Sequence, residues 1–163
     1  VQELSFRASL MRLHTLVLGS YAAAVVDGTE EDVPAAMTEL HRALAADLAG
    51  QVTSPELAAI LSGSYRVKER EDISSSGYVL HSLEAALWAL ARTDTFLDGV
   101  LLAVNLGDDA DTVGAIYGQL AGALYGRSGI PEGWLARLHD ARMIEDLAAG
   151  IAERVGAFEV AAL

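Results

Sequence analysis

The chain has no cysteine among its 163 residues. Disulfides and thiolate metal sites are therefore excluded, and nothing in its sulfur chemistry places it outside the cell, so a cytoplasmic location is expected. Basic residues are scarce, with 11 Lys and Arg against 23 Asp and Glu, a formal net charge of −12. Nucleic acid is thereby excluded as a partner, because neutralising phosphates needs clustered cations. No apolar run approaches the about 20 residues that span a bilayer, and no basic segment followed by an apolar core opens the chain. No membrane partner is expected. Strand-like alternation is missing as well.

What remains is helical periodicity. Residues 2–26 carry Leu10, Leu13, Leu16, Val17 and Tyr21 at three- and four-residue spacings. Asp27-Gly28 breaks that pattern, and Thr29 offers a cap for a second helix reaching Leu48. Ser54-Pro55-Glu56 is a helix start with a capping serine, a first-turn proline and an acid at the positive end, and Gly63 closes that helix. Residues 64–77 form the one long polar stretch and read as a solvated surface loop holding Arg66, Lys68 and Arg70. Helices are expected over 79–92, over 95–104 with Thr93 or Asp94 as cap, over 112–125, from Ile130-Pro131-Glu132, and over 141–155. The expectation is an all-α protein of seven or eight helices in a single domain spanning 1–163. His41, His81, His139, Trp88 and Trp134 are expected in the core. Val-Gln-Glu-Leu opens the chain without an initiator methionine, as in a fragment or processed product.

The chemistry gathers at 107–112. Asp108, Asp109, Asp111 and Thr112 offer carboxylate and hydroxyl oxygens that suit hard cations, and Gly107 permits a tight turn. Thr112 is expected to open the following helix. The competing reading of these four residues is an ordinary acidic N-cap. Behind them Gly114, Gly118, Gly122 and Gly126 share one helix face. Each interior glycine costs about 1 kcal/mol relative to alanine, a sacrifice that calls for close backbone approach by a neighbouring helix.

Asn105-Leu106-Gly107-Asp108-Asp109-Ala110-Asp111-Thr112-Val113-Gly114-Ala115-Ile116, with Ala121-Gly122-Ala123 and Tyr125-Gly126 behind it, resembles the C-terminal signature of the ADP-ribosylglycohydrolases, N-x-G-G-D-[TS]-D-T-x-[GA]-A-I. That family includes the dinitrogenase-reductase-activating glycohydrolases. Ser76-Gly77-Tyr78-Val79-Leu80-His81-Ser82-Leu83-Glu84-Ala85-Ala86-Leu87-Trp88 resembles its G-[YF]-V-x-x-[TS]-L-x-A-[AS]-L-W segment. Ser9-Leu10-Met11-Arg12 is similar to the N-G-S-x-M-R segment, and His14 to the histidine of the T-H motif.

The resemblance implies a compact all-helical bundle holding two Mg²⁺ or Mn²⁺ ions in its complete form. It implies hydrolysis of the bond between ADP-ribose and a protein side chain or small acceptor, with ADP-ribose or an ADP-ribosylated protein as partner. Carried over, Asp109, Asp111 and Thr112 are metal ligands, Asp108 stands where the motif has glycine, and Gly77, Tyr78 and His14 border the nucleotide. The family's N-terminal G-D-x-x-G turn and T/S-D-D cluster are not found here, so the resemblance covers the C-terminal portion and the bundle is expected to be incomplete at its N-terminus. No general base is identified. A catalytically incomplete relative, binding ADP-ribose or acting structurally, is the alternative. A different helical metal phosphohydrolase would bring His-Asp pairs or Glu-x-x-Glu/Asp repeats, and none stands out.

Overall fold

The computed structural model describes residues 54–150, which fall into two units, 54–129 and 130–150. The expected helices over 2–26 and up to Leu48, with His14 and His41, lie outside the described residues. Among the described residues every regular element is helical.

Helix α1 spans Pro55–Leu61 and starts as its sequence dictates. Ser54 Oγ accepts from the Leu57 N–H, Pro55 takes the first turn, and Leu57 and Ile60 point inward. Gly63, with φ of 78°, ends it. The polar stretch that follows lies at the surface, with Arg66, Val67 and residues 69–72 exposed, but it is not a plain solvated loop. It forms two 3₁₀ turns, Ser64–Val67 and Arg70–Asp72, and buries Tyr65, Ile73 and Ser75. Its cations are engaged. Lys68 Nζ pairs with the nearly buried Glu84 carboxylate at 2.6 Å, and Arg70 donates to the Asn105 carbonyl. The Lys68 carbonyl accepts from both Trp88 Nε1 (3.0 Å) and Arg92, whose guanidinium lies over the Trp88 ring. The hydrogen bonds among these contacts link residues 16 to 35 positions apart, so local patterning did not show them.

Helix α2, Val79–Ala91, is buried along nearly its whole circumference from Leu80 to Leu90 and is the central element of this unit. Helix α3, Phe96–Val104, is capped by Thr95, not by Thr93 or Asp94. Thr95 Oγ1 accepts from the Asp98 N–H (3.1 Å) and donates to the Asp98 carboxylate (2.7 Å). Helix α4, Ala110–Tyr125, packs on α3 and α2 through Val113, Tyr117, Leu120 and Ala121, a face of period 3.6. It begins two residues before the expected Thr112, so Thr112 lies within the first turn. The glycine stripe meets a close neighbour at Gly114, where a built Cβ would lie 2.9 Å from Val104 Cγ1. No described residue comes within 4 Å of a Cβ at Gly118 or Gly122, so close approach is shown at Gly114 alone.

In the second unit, α5 is a single turn, Glu132–Leu135, and a further helix covers 141–150. Trp134 is exposed and the His139 side chain is 95% exposed beside Asp140, so neither occupies the core position expected of it. Trp88, in contrast, is 3% exposed.

Tyr117 makes alkaline stability measurable. Its hydroxyl is shut inside the α3–α4 contact near the Thr95 carbonyl, and burial pushes its pKa up to about 12. The folded chain thus holds this proton at pH values where the unfolded chain, with the ordinary value of 10.0, releases it. The stabilisation is complete below pH 10 and is lost as pH rises toward about 12. Urea titrations across that window are expected to show falling stability in the wild type and a flatter profile in Tyr117→Phe.

Candidate functional site

Three pieces of backbone converge on the acidic turn. Helix α3 ends at Asn105, Gly107 and Asp108 reverse the chain, and α4 begins at Ala110. The reversal uses two left-handed residues, Gly107 with φ of 93° and Asp108 with φ of 47°. This accounts for a glycine at the Asp108 position in the motif quoted above, since left-handed backbone favours glycine. The Asp108 side chain is exposed.

The third piece is the segment preceding α2. The Asp109 N–H donates to the Ser75 carbonyl at 3.1 Å, tying the turn to a buried serine. Ser76 Oγ sits 2.8 Å from His81 Nδ1 and accepts from the Tyr78 N–H. Ser82 Oγ donates to the Ser76 and Tyr78 carbonyls. His81 is accordingly a half-exposed hydrogen-bonding residue, not a core one.

Asp109 occupies the N-cap position of α4, yet its side chain makes no capping hydrogen bond. An ordinary capping aspartate accepts from an N–H in the first turn. Here the carboxylate turns instead toward Gly77 and Asp111. A Cβ built on Gly77 would lie 2.5 Å from Asp109 Oδ2. The adjoining Asp109 carboxyl, and then the Thr112 N–H at 2.9 Å, hold the Asp111 acid below its usual range. Asp111 is therefore ionised at neutral pH.

Of the candidate residues, the structure brings Asp109, Asp111 and Thr112 together at one helix start and sets Gly77 against Asp109. Tyr78 is 47% exposed, its ring edge-on to His81 at 5.0 Å between centroids and its hydroxyl 3.4 Å from Glu56. The donor set of two carboxylates and a hydroxyl suits a hard divalent cation in type. Among the described residues no group of three or more His, Asp or Glu side chains is arranged to hold one. The sequence reading missed Ser75 and Ser76. Their polarity was visible, but their partners lie across the fold or one helical turn on.

A family model described as ADP-ribosylglycohydrolase matches residues 10–159. The chain belongs to the ADP-ribosylglycohydrolase family. Among its similar relatives, the ADP-ribosylarginine hydrolase Tri1 of Serratia proteamaculans is 56% identical over 89 residues, 55% of this chain and 24% of that protein. The Tri1 hydrolase of Pseudomonas putida is 49% identical over 100 residues, 61% of this chain and 27% of its own length. The ADP-ribosyl-[dinitrogen reductase] glycohydrolase of Rhodospirillum rubrum is 47% identical over 64 residues, 39% of this chain and 22% of that protein. A solved structure titled ADP-ribosylglycohydrolase-related protein complex superposes with a TM-score of 0.57 at 44% identity, over 66% of this chain and 38% of that one. The chain thus spans about a quarter of the length of the curated relatives it matches. No helix among its described residues is long and apolar enough to cross a membrane.

Proposed function

We propose that this chain carries the C-terminal cation turn and nucleotide border of a hydrolase that releases ADP-ribose from an arginine side chain. The observation that carries the reading is Asp109. It stands at a helix start without capping it and presents its carboxylate to Asp111 and to the Gly77-Tyr78 segment. The arginine acceptor is taken from the relatives named ADP-ribosylarginine hydrolase. Its cysteine-free sequence suits the reducing cytoplasm.

Asp109, Asp111 and the Thr112 hydroxyl would hold Mg²⁺ or Mn²⁺, with further ligands supplied by water or by residues outside 54–150. When bound, such a cation lowers the pKa of water and polarises a ribose oxygen. The Thr112 N–H keeps Asp111 ionised and oriented. Tyr78 offers a flat, half-exposed ring on which a base or ribose can rest, its hydroxyl steadied by Glu56. Water adds to the anomeric carbon as its bond to the guanidine nitrogen breaks, and the nitrogen takes up a proton. Acting as cation ligands, Asp109 and Asp111 are poor proton acceptors, so neither is assigned as general base.

The test is chromatographic detection of ADP-ribose released from ADP-ribosylarginine, with Mn²⁺ and with excess EDTA. Release that requires Mn²⁺ is expected. Binding of ADP-ribose with no turnover under either condition would favour the non-catalytic member of the family.

A further inference from the structure

Gly77 lies in the segment that borders the nucleotide in the proposed reading, but its contacts point elsewhere. Its Cα faces the Asp109 carboxylate so closely that any side chain would collide with Oδ2 at 2.5 Å. Its φ is not in the left-handed region, so backbone conformation does not require glycine here. Space does.

Which partner would yield to a larger residue decides the consequence. The 75–78 segment is pinned on several sides. The Ser75 carbonyl accepts from the Asp109 N–H, Ser76 Oγ meets His81 Nδ1 at 2.8 Å, and Ser82 Oγ holds both the Ser76 carbonyl (3.0 Å) and the Tyr78 carbonyl (3.3 Å). Ser75 and Ser82 are buried. The Asp109 side chain has no capping bond to anchor it and can swing about its own torsions. The carboxylate gives way, and the fold does not.

We infer that Gly77 is a positioning residue for the Asp109 carboxylate: its missing side chain leaves the cradle in which Oδ2 sits beside the 75–78 segment, and the Ser76–His81 hydrogen bond keeps the cradle wall in place. The inference rests on the proposed cation role of Asp109. It adds that the nucleotide-bordering segment sets the geometry of the cation turn. Groups that orient ligands without touching the ion typically change affinity by about 10–100-fold.

The test is Mn²⁺ affinity, by calorimetry and by the paramagnetic resonance signal of free Mn²⁺, alongside thermal unfolding of the metal-free chain. Gly77→Ala is expected to weaken Mn²⁺ binding about tenfold or more while the metal-free unfolding temperature stays within about 2 °C of wild type. Adding Ser76→Ala, which frees the cradle wall to retreat, is expected to restore part of the lost affinity. Unchanged affinity in Gly77→Ala overturns the inference and leaves the cation turn standing. Parallel loss of affinity and unfolding temperature, with no recovery on adding Ser76→Ala, also overturns it by showing a structural role only. A wild-type chain that takes up no Mn²⁺ overturns both this inference and the reading beneath it.

Discussion

Replacing Asp109 and Asp111 together by alanine is expected to abolish specific Mn²⁺ binding, with the calorimetric heats falling to those of dilution. Mn²⁺ prefers oxygen donors, and these two carboxylates are the charged groups that the turn places side by side. The Asp111 acid is held below its usual range beside Asp109 and accepts from the Thr112 N–H, so it is charged and oriented before any cation arrives. Removing both leaves the Thr112 hydroxyl, which carries no charge. The fold is expected to survive. Asp111 is exposed, and the Asp109 side chain makes no capping bond whose loss would fray α4. Asp108→Gly serves as the contrast. Its carboxylate is exposed and its φ of 47° suits glycine, so affinity is expected to hold and stability to rise slightly. Residual specific binding in the double variant would remove the turn from the cation site.

The largest stability effect is expected at Gly99, far from any ligand. A Cβ there would fall inside the Tyr117 hydroxyl and lie 2.5 Å from Thr93 Oγ1. Tyr117 is fully buried, with its ring packed edge-on to Phe96, so it cannot swing aside. Gly99→Ala must therefore push α3 away from α4, at a cost of about 3 kcal/mol, the upper end for overpacking a closed core. Trimming the obstacle with Tyr117→Phe in the same chain is expected to recover part of that loss, since residues in contact are not additive. Urea denaturation measures both. A loss under about 1 kcal/mol for Gly99→Ala would mean that the α3–α4 contact is looser than it stands here. Because α4 carries the acidic turn at its start, this glycine supports the site from behind.

These two glycines show where sequence reading succeeded and where it stopped. Gly77 stood in a recognisable segment, but nothing local says that its neighbour is an aspartate 32 positions on. Gly99 lies mid-helix with no motif around it, so its role is not legible locally. Both are explained only by what packs against them. Local signals fared better. Ser54-Pro55-Glu56 opens α1 as expected, and α2 ends within one residue of its expected boundary. Thr95 was passed over as the α3 cap although Asp98 follows at the third position, the spacing at which a capping residue and a first-turn acid bond reciprocally. The basic stretch misled through composition. Lys68 and Arg70 look solvated in a polar run, yet they reach Glu84 and the end of α3. The glycine stripe suggests tight contact throughout, whereas the described neighbours account for Gly114 only.

The central claim is that a divalent cation belongs at the start of α4. Anomalous scattering from crystals of the chain grown with Mn²⁺ tests it without passing through activity. A Mn²⁺ peak within coordination distance of both the Asp109 and Asp111 carboxylates is the expected result. Carboxylates turned to solvent or paired with a lysine, with no peak between them at saturating Mn²⁺, would contradict the account.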